Sequence, residues 1–202
     1  MIKKVRIISL ILILVSISII LYFKLNQVKD IYVQNRIIDN IFSVDVTGDV
    51  SNFDVLDSVL IFDENVRHSN SFVDDYLGYI YIPKFNIKRL IKYDTDSNIL
   101  NDGYVGLHRL SGDLISDDLI ILAGHDVSNV FHKLHFISTG DYVYINTYNK
   151  NRKFVVYDSK VVSEYDVSSL INNRKNELLL ITCTKHSGER LLVFLKEEVW
   201  IF

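Results

Sequence analysis

The residues that could do chemistry gather in Leu178–Lys196, LLLITCTKHSGERLLVFLK. The single cysteine, Cys183, ends one apolar run, and Arg190 opens the next. Leu178–Thr182 and Leu191–Leu195 each read as a buried strand, with Ser187-Gly188 as the turn signal between them. A thiol and a guanidinium then sit at one end of a hairpin. A cysteine at a strand end also serves as a small buried hydrophobe, and on this stretch alone both readings stand. The nucleophile reading gains from Leu122–Leu134, LAGHDVSNVFHKL. There an apolar strand, Leu119–Ala123, ends in Gly124-His125, where a side chain emerges at a sheet rim. A thiol that attacks a carbonyl needs an imidazole nearby, first to hold the thiolate and then to protonate the leaving amine.

Six histidines compete for that role. His186 lies three residues past Cys183 and is the nearest rival, but Lys185, Ser187 and Gly188 mark it as a loop-tip residue. His132 and His135 fall in a loop or short helix, His108 in a loop before Arg109, and His68 in an acidic stretch. Only His125 follows an apolar strand and a glycine. Arg190 reads either as a surface charge at a strand start or as a fixed fork of donors for a developing oxyanion. Lys185 is the alternative cation, without a strand to aim it.

The elements that must position these groups are short β-runs. Gly78–Ile82, Lys88–Ile91, Leu119–Ala123, Tyr142–Asn146, Lys153–Ser163, Leu178–Thr182 and Leu191–Leu195 are candidate strands, several separated by Gly, Asn, Asp or Ser. Short strands with few helices indicate a mainly β domain, a barrel or a sandwich.

The N-terminal part is different in kind. Ile7–Phe23 carries no charge, and as a helix its seventeen residues reach about 25 Å, enough for a bilayer core. Lys3, Lys4 and Arg6 precede it, which favours a cytoplasmic N-terminus. No small-residue cleavage site follows, so a retained single-pass anchor is expected over 1–29 in preference to a cleaved signal. The catalytic part would then lie outside the cell, where a lone cysteine has no internal disulfide partner and is accidental, intermolecular or reactive. Leu25–Phe42 carries an imperfect apolar stripe that extends the helix. Asp45–Asp75 holds eight acidic residues against Arg67 alone and reads as a solvated spacer. The expected division is an anchor over 1–29, a helical and acidic spacer over 30–75, and a catalytic domain over 76–202. A formal net charge of −3 and the lack of a basic stripe argue against a nucleic-acid partner.

Four segments in order resemble the sortases, the Gram-positive cysteine transpeptidases. They are GYIYIPKFNIKRLI at Gly78–Ile91, AGH at Ala123–His125 with Phe131–Leu134 and Gly140–Tyr144, LITC at Leu180–Cys183, and the Arg190-led strand. The resemblance covers about Tyr76 to Lys196 and implies a closed eight-stranded sortase-type β-barrel with short connecting helices. It implies that Cys183, His125 and Arg190 are catalytic, and that Ala123 and Thr182 line the signal-peptide groove, where plain packing is the other reading. The implied reaction cleaves an LPxTG-like sorting signal of an exported protein through a thioacyl-enzyme, without a cofactor. The acyl group then passes to an amine of the cell-wall precursor or to a pilin lysine. Asp113, Asp117, Asp118 and Glu164 offer oxygen ligands of the kind calcium takes, but scattered surface acids explain them as well, and no metal is assigned. The short stretch between Ser163 and Leu178, and the absence of a second apolar tail before Phe202, favour a housekeeping-like or small class-specific member. Two other readings remain: a hydrolytic cysteine protease, which would need an Asn or Asp orienting the His, and a non-catalytic membrane-tethered β-domain.

Overall fold

The computed structural model describes residues 2–42, 76–171 and 174–198. The acidic spacer expected over 45–75 lies outside the described residues. Among the described residues eight strands form a closed barrel: β1 Gly78–Ile82, β2 Ile87–Tyr93, β3 Val105–Leu107, β4 Ile120–Ala123, β5 Tyr142–Asn146, β6 Asn151–Ser163, β7 Glu177–Cys183 and β8 Glu189–Glu197. Around the barrel the order is β1-β2-β3-β4-β7-β8-β6-β5, closed by β5 on β1. The expected fold class is therefore the observed one. β3 escaped the sequence reading because it has three residues, all buried, too few to show an alternation. It joins β2 in parallel and β4 antiparallel, and so bridges the two halves of the sheet.

β7 and β8 explain their own apolar runs. Leu178, Leu180, Leu191, Val193 and Leu195 point into the barrel core with Ile80, Ile82 and Leu122. The alternate residues Leu179, Ile181, Leu192 and Phe194 join Leu119 and Ile121 in a second apolar layer on the outer face. The segment after β6 covers part of that layer with Val167 and Ile171. A strand buried on both faces cannot alternate polar with apolar, hence ELLLITC.

The N-terminal segment is one continuous helix, α1, Ile2–Phe42, running through residue 29 without a break. It changes character along its length. From Leu10 to Leu25 its large apolar side chains are exposed on all sides, and it is long and apolar enough to cross a membrane. Further on, Gln34 and Ile38, one turn apart, are buried against β2 and its surroundings. The Gln34 amide donates to the carbonyls of Asp102 and Gly103 at 3.3 and 3.2 Å, and its oxygen accepts from the Leu90 N–H at 3.4 Å. That N–H lies on the part of β2 that β3 does not reach, so a side chain satisfies an otherwise open sheet edge.

Candidate active site

Strand register builds the site. β4 and β7 run parallel, with Ala123 beside Ile181. The pairing continues past the strand end, because the Gly124 N–H donates to the Ile181 carbonyl at 3.1 Å. Two residues on from the Ala123–Ile181 pair, His125 falls beside Cys183. Cys183 in turn pairs with Arg190 across the β7–β8 hairpin. Cys183 and Arg190 thus face each other across neighbouring strands, about 4.8 Å between chains, and continuing the β4 register two residues past its end aims His125 at the same row. Side chains alternate between faces, and all three have the parity of the outer apolar layer: Ala123, Leu179 and Ile181, Leu192. A thiol and a guanidinium stand side by side at the end of an apolar floor, with the imidazole carried by the loop that leaves the adjoining strand. None is sealed off, for His125, Cys183 and Arg190 are all half-buried.

Each group is held by neighbours. The thiol ends β7, just before the loop that closes with Gly188 at a φ of +81°. His125 Nε2 lies 3.0 Å from Asn101 Oδ1, at the end of the short helix Ser97–Asn101. An amide oxygen only accepts, so this contact suits a ring that carries a proton on Nε2. Behind His125, Gly124 admits the Phe131 ring, since a Cβ there would lie 2.7 Å from a ring carbon. Phe131 is fully buried and plugs this end of the core. Arg190 Nη2 donates to Glu164 Oε2 at 2.6 Å and Nη1 to the Glu189 carbonyl at 2.9 Å. Glu164 is carried by the connection after β6, and its own N–H donates to the Gly188 carbonyl at 2.8 Å. The β6–β7 connection and the β7–β8 loop are therefore tied together beside the row.

A family model described as "Sortase domain" matches residues 80–198, more than half of the 202 residues. This chain belongs to the sortase family. Sortase A of Listeria monocytogenes serovar 1/2a is 26% identical over 115 residues, which is 55% of this chain and 51% of that protein. The chain thus spans about half the length of that curated relative. Sortase C1 from Streptococcus agalactiae superposes with a TM-score of 0.57 at 27% identity, covering 62% of this chain and 69% of that one. Sortase C-1 from Actinomyces oris gives 0.56 at 26%, covering 64% and 78%. Sortase A from Corynebacterium diphtheriae gives 0.57 at 26%, covering 62% and 61%. Proteins named sortase A and sortase C resemble this sortase to the same degree, so the likeness does not choose a subclass.

The residues expected to line a groove part ways. Ala123 is half-buried on the outer face against the apolar layer. Thr182 is 2% exposed, and its hydroxyl donates to the Gly124 carbonyl at 2.9 Å. Its parity is that of the barrel interior, and its hydroxyl clamps the end of β4 to β7. The four acids weighed for calcium divide between opposite ends of the barrel. Asp113, Asp117 and Asp118 precede β4, where Asp118 pairs with Lys175, while Glu164 holds Arg190 at the far end of β7. Asn101 was missed: it lies 24 residues before His125, and nothing in an exposed asparagine announces a tertiary partner. Of the rival histidines, His186 is exposed in the hairpin loop. His108 turns its Nδ1 to the Leu110 N–H, and burial pushes its pKa below the ordinary imidazole range. His132 and His135 both face Asp126.

Proposed function

We propose that this sortase is a membrane-anchored transpeptidase with Cys183 as nucleophile, His125 as acid and base, and Arg190 as the group that receives the substrate carbonyl. The observation that supports the reading is the Cys183–Arg190 pair at the end of an apolar outer floor, beside the end of β4, where Gly124 continues the pairing and His125 follows. The Cys183 thiolate adds to the carbonyl carbon of a sorting signal of the LPxTG kind, and negative charge develops on the carbonyl oxygen. Arg190 meets that oxygen after leaving Glu164, a half-exposed partner it exchanges at small cost. The C–N bond breaks, and the departing amine takes its proton from the His125 imidazolium. A thioester remains on Cys183. An incoming amine gives a proton to His125, adds to the thioester and expels the thiolate. Ala123 offers the apolar floor to the signal peptide, and Thr182 holds the floor's edge. The acceptor is an amine of a cell-wall precursor or a pilin lysine. No cofactor enters these steps.

The proposed arrangement keeps residues 1–29 in the membrane with the N-terminus in the cytoplasm, behind Lys3, Lys4 and Arg6. Residues 30–75 connect, and residues 76–202 catalyse outside the cell. The docking of Gln34 and Ile38 on the barrel supports a catalytic domain held close to the bilayer.

The Asn101–His125 contact favours a second reading, hydrolysis by a Cys-His-Asn arrangement. Incubation with a sorting-signal peptide and hydroxylamine decides between them. The transpeptidase forms hydroxamate faster than free acid; a hydrolase gives acid regardless. Cys183→Ala is expected to remove all measurable turnover while the barrel still folds. Residual turnover by that variant overturns the assignment of the nucleophile.

A further inference from the structure

The segment that follows His125 builds a second cluster that the transpeptidation row does not use. Asp126 begins it. The chain then turns back on hydrogen bonds from the Val130 and His132 N–H groups to the Val127 carbonyl and from the Phe131 N–H to the His125 carbonyl. Phe131 anchors the turn in the core. The 3₁₀ helix His132–Phe136 follows. In such a helix residues three apart eclipse one another, so His132 and His135 present their rings on one side. The ring centroids are 5.9 Å apart. Asp126 Oδ1 lies 2.8 Å from His132 Nδ1 and 3.4 Å from His135 Nε2. All three donor atoms fall within 4.8 Å of one another.

We propose that Asp126, His132 and His135 form a binding site for a divalent transition metal of the zinc type. Bond lengths of about 2.0–2.1 Å to nitrogen and oxygen put neighbouring ligands of a tetrahedral ion roughly 3.3 Å apart, close to the 2.8 and 3.4 Å from Asp126 Oδ1 to the two ring nitrogens. Two imidazoles and one carboxylate suit zinc, cobalt or nickel; calcium and magnesium require more oxygen donors than this cluster holds. The Asp126 side chain is 14% exposed, His135 26% and His132 39%, so an ion enters from solvent and keeps one or more waters. The ion cross-links the two ends of the segment 126–135, whose first residue is bonded to His125. Occupancy therefore stiffens the segment that follows His125. The inference rests on this cluster alone and is independent of the transpeptidase reading.

The test uses the full chain in detergent, in a Cys183→Ala background so that the thiol cannot ligate. Cobalt(II) titration is read by its visible d–d absorption, and zinc is measured by competition against a chromophoric chelator. One zinc per chain with a micromolar or tighter Kd is expected, weakened at least tenfold by His132→Gln, His135→Gln or Asp126→Asn. Affinity unchanged by these substitutions, or no saturation at millimolar zinc, overturns the site and leaves Asp126 as a carboxylate hydrogen-bonded to His132 and facing His135. Should a variant fail to fold, the unsubstituted cluster supplies the answer. Zinc is expected to shield His132 and His135, and not His108 or His186, from diethylpyrocarbonate in peptide mapping. Equal labelling with and without zinc overturns it.

Discussion

Two arginines near opposite ends of the barrel contrast a guanidinium held as a strut with one left free for the working role proposed above. Arg152, near the start of β6, has a side chain with no exposed surface. Its Nε donates to Glu197 Oε1 at 2.8 Å, its Nη2 to Glu197 Oε2, and its Nη1 to the carbonyls of Leu114, at 3.2 Å, and Ser116. Arg190, at the start of β8, keeps 29% of its side chain exposed and gives one bond to a carboxylate and one to its neighbour's carbonyl. A guanidinium whose donors are spoken for in a dry site cannot be redirected without opening the fold. One with free donors at a solvent edge can trade a carboxylate for a substrate oxygen. The lesson is that burial and the number of fixed donors separate the two roles, where residue type does not.

The comparison can be broken at either end. Arg152→Leu leaves Glu197 and two carbonyls without a partner, and about 3–5 kcal/mol of stability is expected to be lost, measured by denaturant titration. Activity per folded molecule should stay unchanged. Arg190→Ala is expected to lower kcat/KM by about 10²–10³-fold, the size of one missing oxyanion donor, while stability changes by less than about 1 kcal/mol. Lysine should not rescue it, since a point charge does not replace the fork. If Arg190→Ala instead destabilises as much as Arg152→Leu and keeps its rate, both arginines are struts.

Smaller effects sharpen the contrast. Asn101→Ala removes the Nε2 partner of His125 and is expected to lower kcat about tenfold with KM unchanged, the value of one hydrogen bond of about 1.4 kcal/mol. Asn101→Asp should recover most of the rate, because it restores the acceptor; a purely structural asparagine would not show that split. Glu164→Gln loosens Arg190 without unburying it. Its expected cost is below about 1 kcal/mol, with KM for the peptide lowered about twofold as the guanidinium competes less with its own carboxylate. A large loss of rate in Glu164→Gln would make the ion pair part of the active arrangement.

The β-runs of β1 and β5 were legible to the residue, because Gly78 opens and Pro83 stops β1 while Gly140-Asp141 and Thr147–Asn149 bound β5. β4, β6, β7 and β8 were found with ends off by one or two residues, since strand termini depend on partners and not on local pattern. β3 was invisible, being too short for any periodicity to register. At the proposed site, Cys183, His125 and Arg190 stood out as chemically capable residues at strand ends, and only the resemblance to sortases singled them out as a set. Thr182 could not be assigned a face, because that depends on the parity of the whole strand in the closed sheet.

What the sequence determined by itself is local: apolar runs and their polar ends, a first helix long and apolar enough to cross a membrane, and a thiol, an imidazole and a guanidinium at strand ends. What only the tertiary structure decided is which of those ends share a row. The β4–β7 pairing joins residues 58 apart, and a one-residue slip would turn Cys183 into the core and bring the Thr182 hydroxyl out. The same holds for Asn101 on His125, Glu164 on Arg190, and the meeting of Asp126, His132 and His135. Local propensity sets which segments extend, but register is fixed by the total burial of both faces, a sum over the whole barrel that no short window contains.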